Sequence, residues 1–294
     1  MKTGETGGMG IGLARTARLA AATLTGVVLA AAAAGCSSSA GDGASSGSAP
    51  PTKTLTSAPA ARAPASGGHP AAAWPTYGRD FARSGVAAGV APAGPLSVGW
   101  RASLDGAVYG QPLLVGRLVI AATENDSIYA LDQATGKVAW RTHVGTPVPL
   151  ADLPCGNIDP LGITGTPVYD QGNGLVYAVA ETSGYHHVLV GVSVSDGAVK
   201  VERDIPTPDG QPRYDQQRPG LAIEDGRVYV AFGGLYGDCG PYRGSVVGVP
   251  LGGHGPLLSY LVPTAREGAI WGTSGPMTGP DVPQTAPSRG VGTR

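Results

Sequence analysis

The stretch Asn125–Trp140, "NDSIYALDQATGKVAW", decides the fold. It reads as an apolar strand over Ile128–Leu131, a turn, and a second apolar run ending at Trp140. In the turn, Asp132 is the residue type that bonds backbone amides, and Gly136 falls where a positive φ is expected. Extending outward to "GQPLLVGRLVIAATENDSIYALDQATGKVAWRTHVG" from Gly110, strands are expected near Arg117–Ala122, Ile128–Leu131 and Lys137–His143. The skeleton returns from Gly165 as "GTPVYDQGNGLVYAVAETSGYHHVLVGVSVSDGAVKVERDI", with Ser183–His187 lengthening the middle loop. A third copy starts at Pro219, "PGLAIEDGRVYVAFGG", takes the insertion "LYGDCGPYRG", and continues as "SVVGVPLGG"; a fourth opens at Gly275.

The four starts are separated by 55, 54 and 56 residues. A regular period in β-hairpin units marks a propeller or another closed β array. Each repeat offers three or four antiparallel strands with two apolar faces, which must be covered by neighbours on both sides, and radial stacking does this. Trp140 is expected to fill the space between two blades.

"YALDQATGKVAW", Tyr129–Trp140, resembles the repeat of quinoprotein-like β-propellers, the pyrroloquinoline-quinone-type repeat, and "WPTYGRDFARSG", Trp74–Gly85, resembles how such domains begin. The resemblance covers Trp74 to Asp281, is specific in the first repeat and holds in skeleton alone in the next two. It implies an all-β propeller. The family spans quinone-dependent alcohol and glucose dehydrogenases, lipoproteins of outer-membrane assembly and many exported proteins with no known activity, so the fold does not choose a function. The alcohol dehydrogenases of the family carry adjacent cysteines, a Ca²⁺ cage of Glu and Asn, and a catalytic Asp. This chain has no adjacent Cys pair, and Glu124, Asn125, Asp126, Asn157, Asp159 and Glu181, which could offer oxygen ligands, lack metal-site spacing. No metal site and no catalytic set are assigned. His186–His187 is the one paired histidine, and neighbours on a strand point to opposite faces, which suits a polar loop better than chelation.

Composition agrees with a turn-rich chain: 48 Gly and 26 Pro in 294 residues, with 14% charged and 6% aromatic. The N-terminus directs export. Arg15 and Arg18 precede "LAAATLTGVVLAAAAAG", and the run ends in "AAGC", Ala33–Cys36, which resembles a bacterial lipobox, so residues 1–35 are expected to be a signal peptide and Cys36 the acylated first residue of the mature chain. The alternative, a membrane anchor, asks for roughly 20 strongly apolar residues, and this run is shorter and mostly Ala. Residues 36–73 are Ser, Ala, Gly, Pro and Thr and cannot bury enough surface to offset ordering, so they are expected to form a disordered tether. Subtracting Lys2, Arg15, Arg18 and Glu5 from 20 basic and 21 acidic residues leaves 17 and 20, a formal −3. Nothing there drives binding to phosphate backbones, and nucleic acid is excluded as a partner.

With Cys36 assigned to lipid, Cys155 and Cys239 remain as an even pair in an oxidising setting, and a disulfide between them is expected; two free buried thiols are the alternative. Both lie in Gly/Pro-rich loops. Those loops, "CGNIDPLG", "SGYHH", "PDGQPRYDQQRP" and "GDCGPYRG", mix polar and aromatic groups on rigid frames and form a candidate recognition surface, or plain solvated loops. Candidate ligand-binding residues are Asn157, Asp159, His186, Tyr214, Arg218 and Tyr242.

The fourth repeat opens with "GPMTGPD" and then reads "VPQTAPSRGVGTR", with Pro283 and Pro287 and no alternation. With a strand segment around Leu96–Ala102, the chain is expected to hold about four blades' worth of an incomplete propeller over 74–281 and a non-repeat disordered tail over 282–294. The function expected is a lipid-anchored binding or scaffold module in the envelope or at the outer face of the cytoplasmic membrane, facing a protein, peptide or envelope polymer and needing no cofactor. The alternative is an oxidoreductase using pyrroloquinoline quinone with Ca²⁺.

Overall fold

The computed structural model describes residues 73–87, 89 and 94–278. The expected signal peptide, Cys36, the tether except Ala73, and the tail lie outside those residues. Among the described residues no helix is long and apolar enough to cross a membrane.

Three antiparallel sheets follow one another along the chain. The first contains β1 (Leu113–Val115), β2 (Leu118–Thr123), β3 (Ser127–Asp132) and β4 (Val138–His143). The second contains β5 (Val168–Asp170), β6 (Leu175–Thr182), β7 (His186–Ser193) and β8 (Val199–Asp204). After the two-residue β9 (Asp215–Gln216), the third contains β10 (Ala222–Glu224), β11 (Arg227–Gly234), β12 (Ser245–Pro250) and β13 (Leu258–Leu261). Each sheet runs in chain order, and β9 adds to β11 through Gly233 and Gly234. The result is the all-β, propeller-type architecture that the repeat implies.

Strand β6 shows why the sheets stack. Val176, Ala178 and Ala180 join a core with Leu113, Ile120, Ile128 and Ala130 of the first blade. Leu175, Tyr177 and Val179, the alternate residues, join a second core with Val228, Val230, Phe232, Val247 and Val249 of the third. Period-two alternation with both faces apolar therefore buries both faces, and each fully buried aliphatic or aromatic side chain contributes roughly 1.5–3 kcal/mol.

Glycines set the spacing of the inner strands. A Cβ at Gly110 would lie 2.8 Å from the Gly165 carbonyl oxygen, and one at Gly275 would overlap Gly220. The repeating position is thus Gly110, Gly165, Gly220 and Gly275, so the third repeat starts one residue after Pro219 and the period is 55 throughout. Only a residue without a side chain lets the backbones approach this closely.

Trp74–Gly85 lies along these inner strands. Trp74 and Leu114 exchange backbone hydrogen bonds of 2.9 and 3.0 Å, and Tyr169 N–H donates to Pro75 O at 2.8 Å. The Arg83 guanidinium donates to Tyr77 O at 2.9 Å and to Leu221 O and Pro276 O, each at 3.0 Å. One side chain thus joins the N-terminal segment, the third blade and the segment after Gly275.

The expected strand around Leu96–Ala102 is absent. Leu96 and Val98 are 87% and 66% exposed, while the Trp100 indole N–H donates to Gln133 O at 2.8 Å across the β3–β4 turn. The segment crosses a turn instead of running beside a strand, so no ladder is available to it.

Candidate functional site: the loop face

In a four-stranded antiparallel blade, the turn between the second and third strands and the connection to the next blade emerge at the same end. The β2–β3, β6–β7 and β11–β12 loops and the long blade-to-blade connections therefore gather on one face, and they are cross-braced there. Cys155, in the first connection, and Cys239, in the β11–β12 insertion, are disulfide-bonded with Cα atoms 6.3 Å apart and 84 residues between them in sequence. The Tyr185 hydroxyl donates to Asp152 O at 2.7 Å, within the 3-10 turn Leu150–Asp152. Arg243 N–H donates to the Asp209 carboxylate at 2.8 Å, and Leu235 N–H to Tyr214 O at 3.0 Å.

Beneath this surface lie four buried carboxyls. Glu124 accepts from Gly162 N–H at 2.8 Å, and burial pushes it up to about 7. Asp126 packs against Gly145 and Gly162, and neither of its oxygens has a hydrogen-bond partner; burial first, then the charges of Glu124 and Glu181, push it up to about 8. Burial also raises Glu181, whose Oε2 lies 3.5 Å from His187 Nε2. Asp215 is pushed up to about 9 by burial and by Asp209. A carboxyl withdrawn from water without a cation beside it favours its neutral form.

The residues read as ligand contacts divide. Asn157 and Asp159 are exposed on the first connection, where Asp159 accepts from Leu150 N–H at 3.0 Å. His186 is exposed, 3.2 Å from Asp204, whereas His187 is buried edge-on to Phe232, their rings 5.0 Å apart. Arg218 is exposed and lies 5.6 Å from the centre of the Trp271 ring. Tyr214 is half-buried. Tyr242 departs from the expectation of a contact surface: it is 1% exposed, its ring fills the space above Gly234, and its hydroxyl donates to Asp238. Sequence reasoning left out Tyr185, Arg213, Trp271 and Asp215. Their signal was present in the Tyr, Arg and Asp of the loops already singled out, except for Trp271, which lies outside them.

Two shallow depressions flank Gln216. Leu153, Asn157, Leu161 and Leu235 help line one, and Arg218, Gly233, Ile270 and Trp271 the other. Among the described residues no three His, Cys, Asp or Glu side chains converge as a metal would need, and the cysteines of this face join distant loops.

Solved structures similar to this chain include three of note. A quinohemoprotein alcohol dehydrogenase from Pseudomonas putida HK5 is 17% identical, with 65% of this chain and 27% of that one covered and a TM-score of 0.46. BamB from Moraxella catarrhalis is 22% identical, with 58% and 42% covered and a TM-score of 0.35. A europium-containing methanol dehydrogenase is 18% identical, with 65% and 32% covered and a TM-score of 0.46. The chain spans less than half the length of each. A comparison with curated proteins finds no match. Residues 66–237, more than half of the chain, match the family model described as outer membrane protein assembly factor BamB, and the chain belongs to that family.

Proposed function

We propose that this chain is an exported, lipid-anchored propeller module that binds a protein, peptide or envelope polymer through its loop face and carries out no reaction of its own. Acylation at Cys36 and a tether over residues 36–73 would hold the propeller away from a membrane. The observation that carries the reading is the cross-bracing of the loop face: a disulfide, side chain-to-backbone bonds and glycine-packed aromatic rings hold polar and aromatic groups over shallow depressions. A surface ordered in advance loses little further entropy on binding, which suits recognition of a macromolecule. Membership of a family named for an assembly factor supports a protein partner.

Photo-crosslinking in the native envelope tests this. With the crosslinker at Asn157, a discrete adduct is expected, and none with the crosslinker at Lys200 on the outer strand β8. The reading fails if purified protein instead takes up pyrroloquinoline quinone with Ca²⁺, giving a bound chromophore and a raised melting temperature.

A further inference from the structure

We propose that the loop face holds a recognition site for an acidic peptide segment of a protein partner, in which Arg213 and Arg218 each receive a carboxylate. The inference rests on the binding-module reading above. Both arginines are exposed. The guanidinium of Arg213 lies 5.9 Å from the Tyr185 ring centre and 5.8 Å from that of Tyr214, and the guanidinium of Arg218 lies 5.6 Å from that of Trp271. The rings are themselves held: Tyr185 by its bond to Asp152 O, Tyr214 by Gly240 lying against its face. Stacking occupies the flat face of a guanidinium and leaves its in-plane N–H donors free, and that edge matches the two oxygens of a carboxylate.

Five other arginines show the contrast. Arg117, Arg141 and Arg266 have carboxylate partners, and Arg83 and Arg227 donate to backbone carbonyls. Among the described residues, Arg213 and Arg218 have neither kind of partner; Arg79, Arg101 and Arg203 share that, but lie outside the loops of this face. Three carboxylates of the same face are tied down within it: Asp159 accepts from Leu150 N–H, Asp209 from Gln211 and Arg243 N–H, and Asp238 from Tyr242. The unpaired outward charge at these two positions is therefore positive.

The occupant follows from shape and field. The surface beside Arg218, Gln216 and Trp271 is only shallowly indented, which suits an extended segment lying across it. The formal −3 of the chain from Cys36 onward disfavours a densely charged polyanion, whose attraction acts at long range. Two separate carboxylates gripped at short range by planar forks are tolerated. Arg and aromatic residues packed together also make the composition that dominates binding energy in protein interfaces.

The test selects a random twelve-residue display library on protein purified from cells expressing the full 294-residue chain. The enriched peptides are expected to carry at least two Asp or Glu. The best of them, fluorescein-labelled, is expected to lose at least about tenfold in affinity when its acids become Gln and Asn, and on R213A or R218A. R213K and R218K, which keep charge without the fork, are expected to lose several-fold as well. Melting temperatures report whether each variant is folded. Should R213A or R218A unfold, protection of the wild-type arginines from phenylglyoxal by the peptide decides instead. The proposal is overturned if enriched peptides lack acids, if the double variant R213A/R218A binds them equally, if no peptide is enriched, or if polyphosphate binds and the peptides do not. Loss of affinity in these variants with the Asn157 crosslink preserved would leave the module reading standing with a second contact. An unchanged affinity with a preserved crosslink would remove only this site, and absence of the crosslink together with quinone uptake would remove the module reading itself.

Discussion

The indole of Trp140, at the outer strand of the first blade, lies across Gly197 in a turn of the second, and its N–H donates to Val194 O at 2.9 Å. The contact repeats along the array. Trp100 lies across Gly136 and Val201 across Gly253, and all three glycines have positive φ. Each outer edge is therefore seated in a notch of the next repeat. In the third blade Leu258 takes the place of Val201, pairing with Gly248 as Val201 pairs with Gly191, and it is 43% exposed.

Gly197→Ala places a methyl group 2.9 Å from the Trp140 ring at φ +74°. A non-glycine residue there costs about 1–2 kcal/mol before any displacement of the ring. The expected loss is about 2–3 kcal/mol, and Trp140→Ala is expected to lose about 2–4 kcal/mol. Because both remove one contact, the double variant should fall short of the sum. Urea unfolding of the four proteins measures this, and strict additivity would show the contact to be incidental.

Arg83 joins three parts of the chain, and its burial lowers the guanidinium to about 10 without discharging it at neutral pH. Arg83→Met keeps the length of the side chain and strands the carbonyls of Tyr77, Leu221 and Pro276. A loss of about 2–4 kcal/mol is expected, with Arg83→Lys intermediate because one ammonium cannot span three acceptors. Tryptophan fluorescence during unfolding is the readout, with Trp74 in the same N-terminal segment as Tyr77, whose carbonyl Arg83 holds.

Non-reducing peptide mapping should recover Cys155 linked to Cys239. Replacing both with Ser lengthens the unfolded chain's accessible conformations, and in the chain-entropy picture the expected destabilisation is about 4 kcal/mol. A melting temperature unchanged between oxidised and reduced protein would refute it.

Strands β2 to β4 of the first repeat were readable to within a residue, because the apolar runs in "LVIAAT" and "SIYALD" and the turn at Asp132–Gly136 are local properties, whereas the three-residue β1 lay in what read as a Gly/Pro entry. What was not local was not readable. Leu96–Ala102 has strand composition, but a ladder depends on a partner far along the chain. Tyr242 and Tyr214 look alike in loop sequence, yet one is buried above Gly234 and the other lies beside Arg213. Asp215 reads as a solvated loop acid, and only its pairing next to Gly234 carries it inside.

Processing is open to direct measurement. Mass spectrometry of the mature protein should find an N-terminal diacylated or triacylated Cys36 and no peptide from residues 1–35. Substituting Cys36 by Ser should release the protein from the membrane fraction, and its retention there would contradict lipid anchoring.

The buried carboxyls set the direction of pH dependence. Burial holds Glu124, Asp126 and Asp215 at about 7, 8 and 9, above the roughly 4 of the unfolded chain. A group whose native value is raised binds more protons folded than unfolded, so its contribution is full below pH 4 and is lost as pH rises through the native value. Stability should therefore decline from about pH 5 to pH 9 as these sites are forced to ionise together, with Arg218 and His187 the nearest groups able to offset charge on Glu124 and Glu181. Asp126→Asn keeps the shape, removes the charge and should raise the melting temperature at pH 8 while changing it little at pH 5. Thermal unfolding of the wild type and of Asp126→Asn and Asp215→Asn across that range tests the assignment. Parallel pH profiles for all three would show that these carboxyls do not govern the decline.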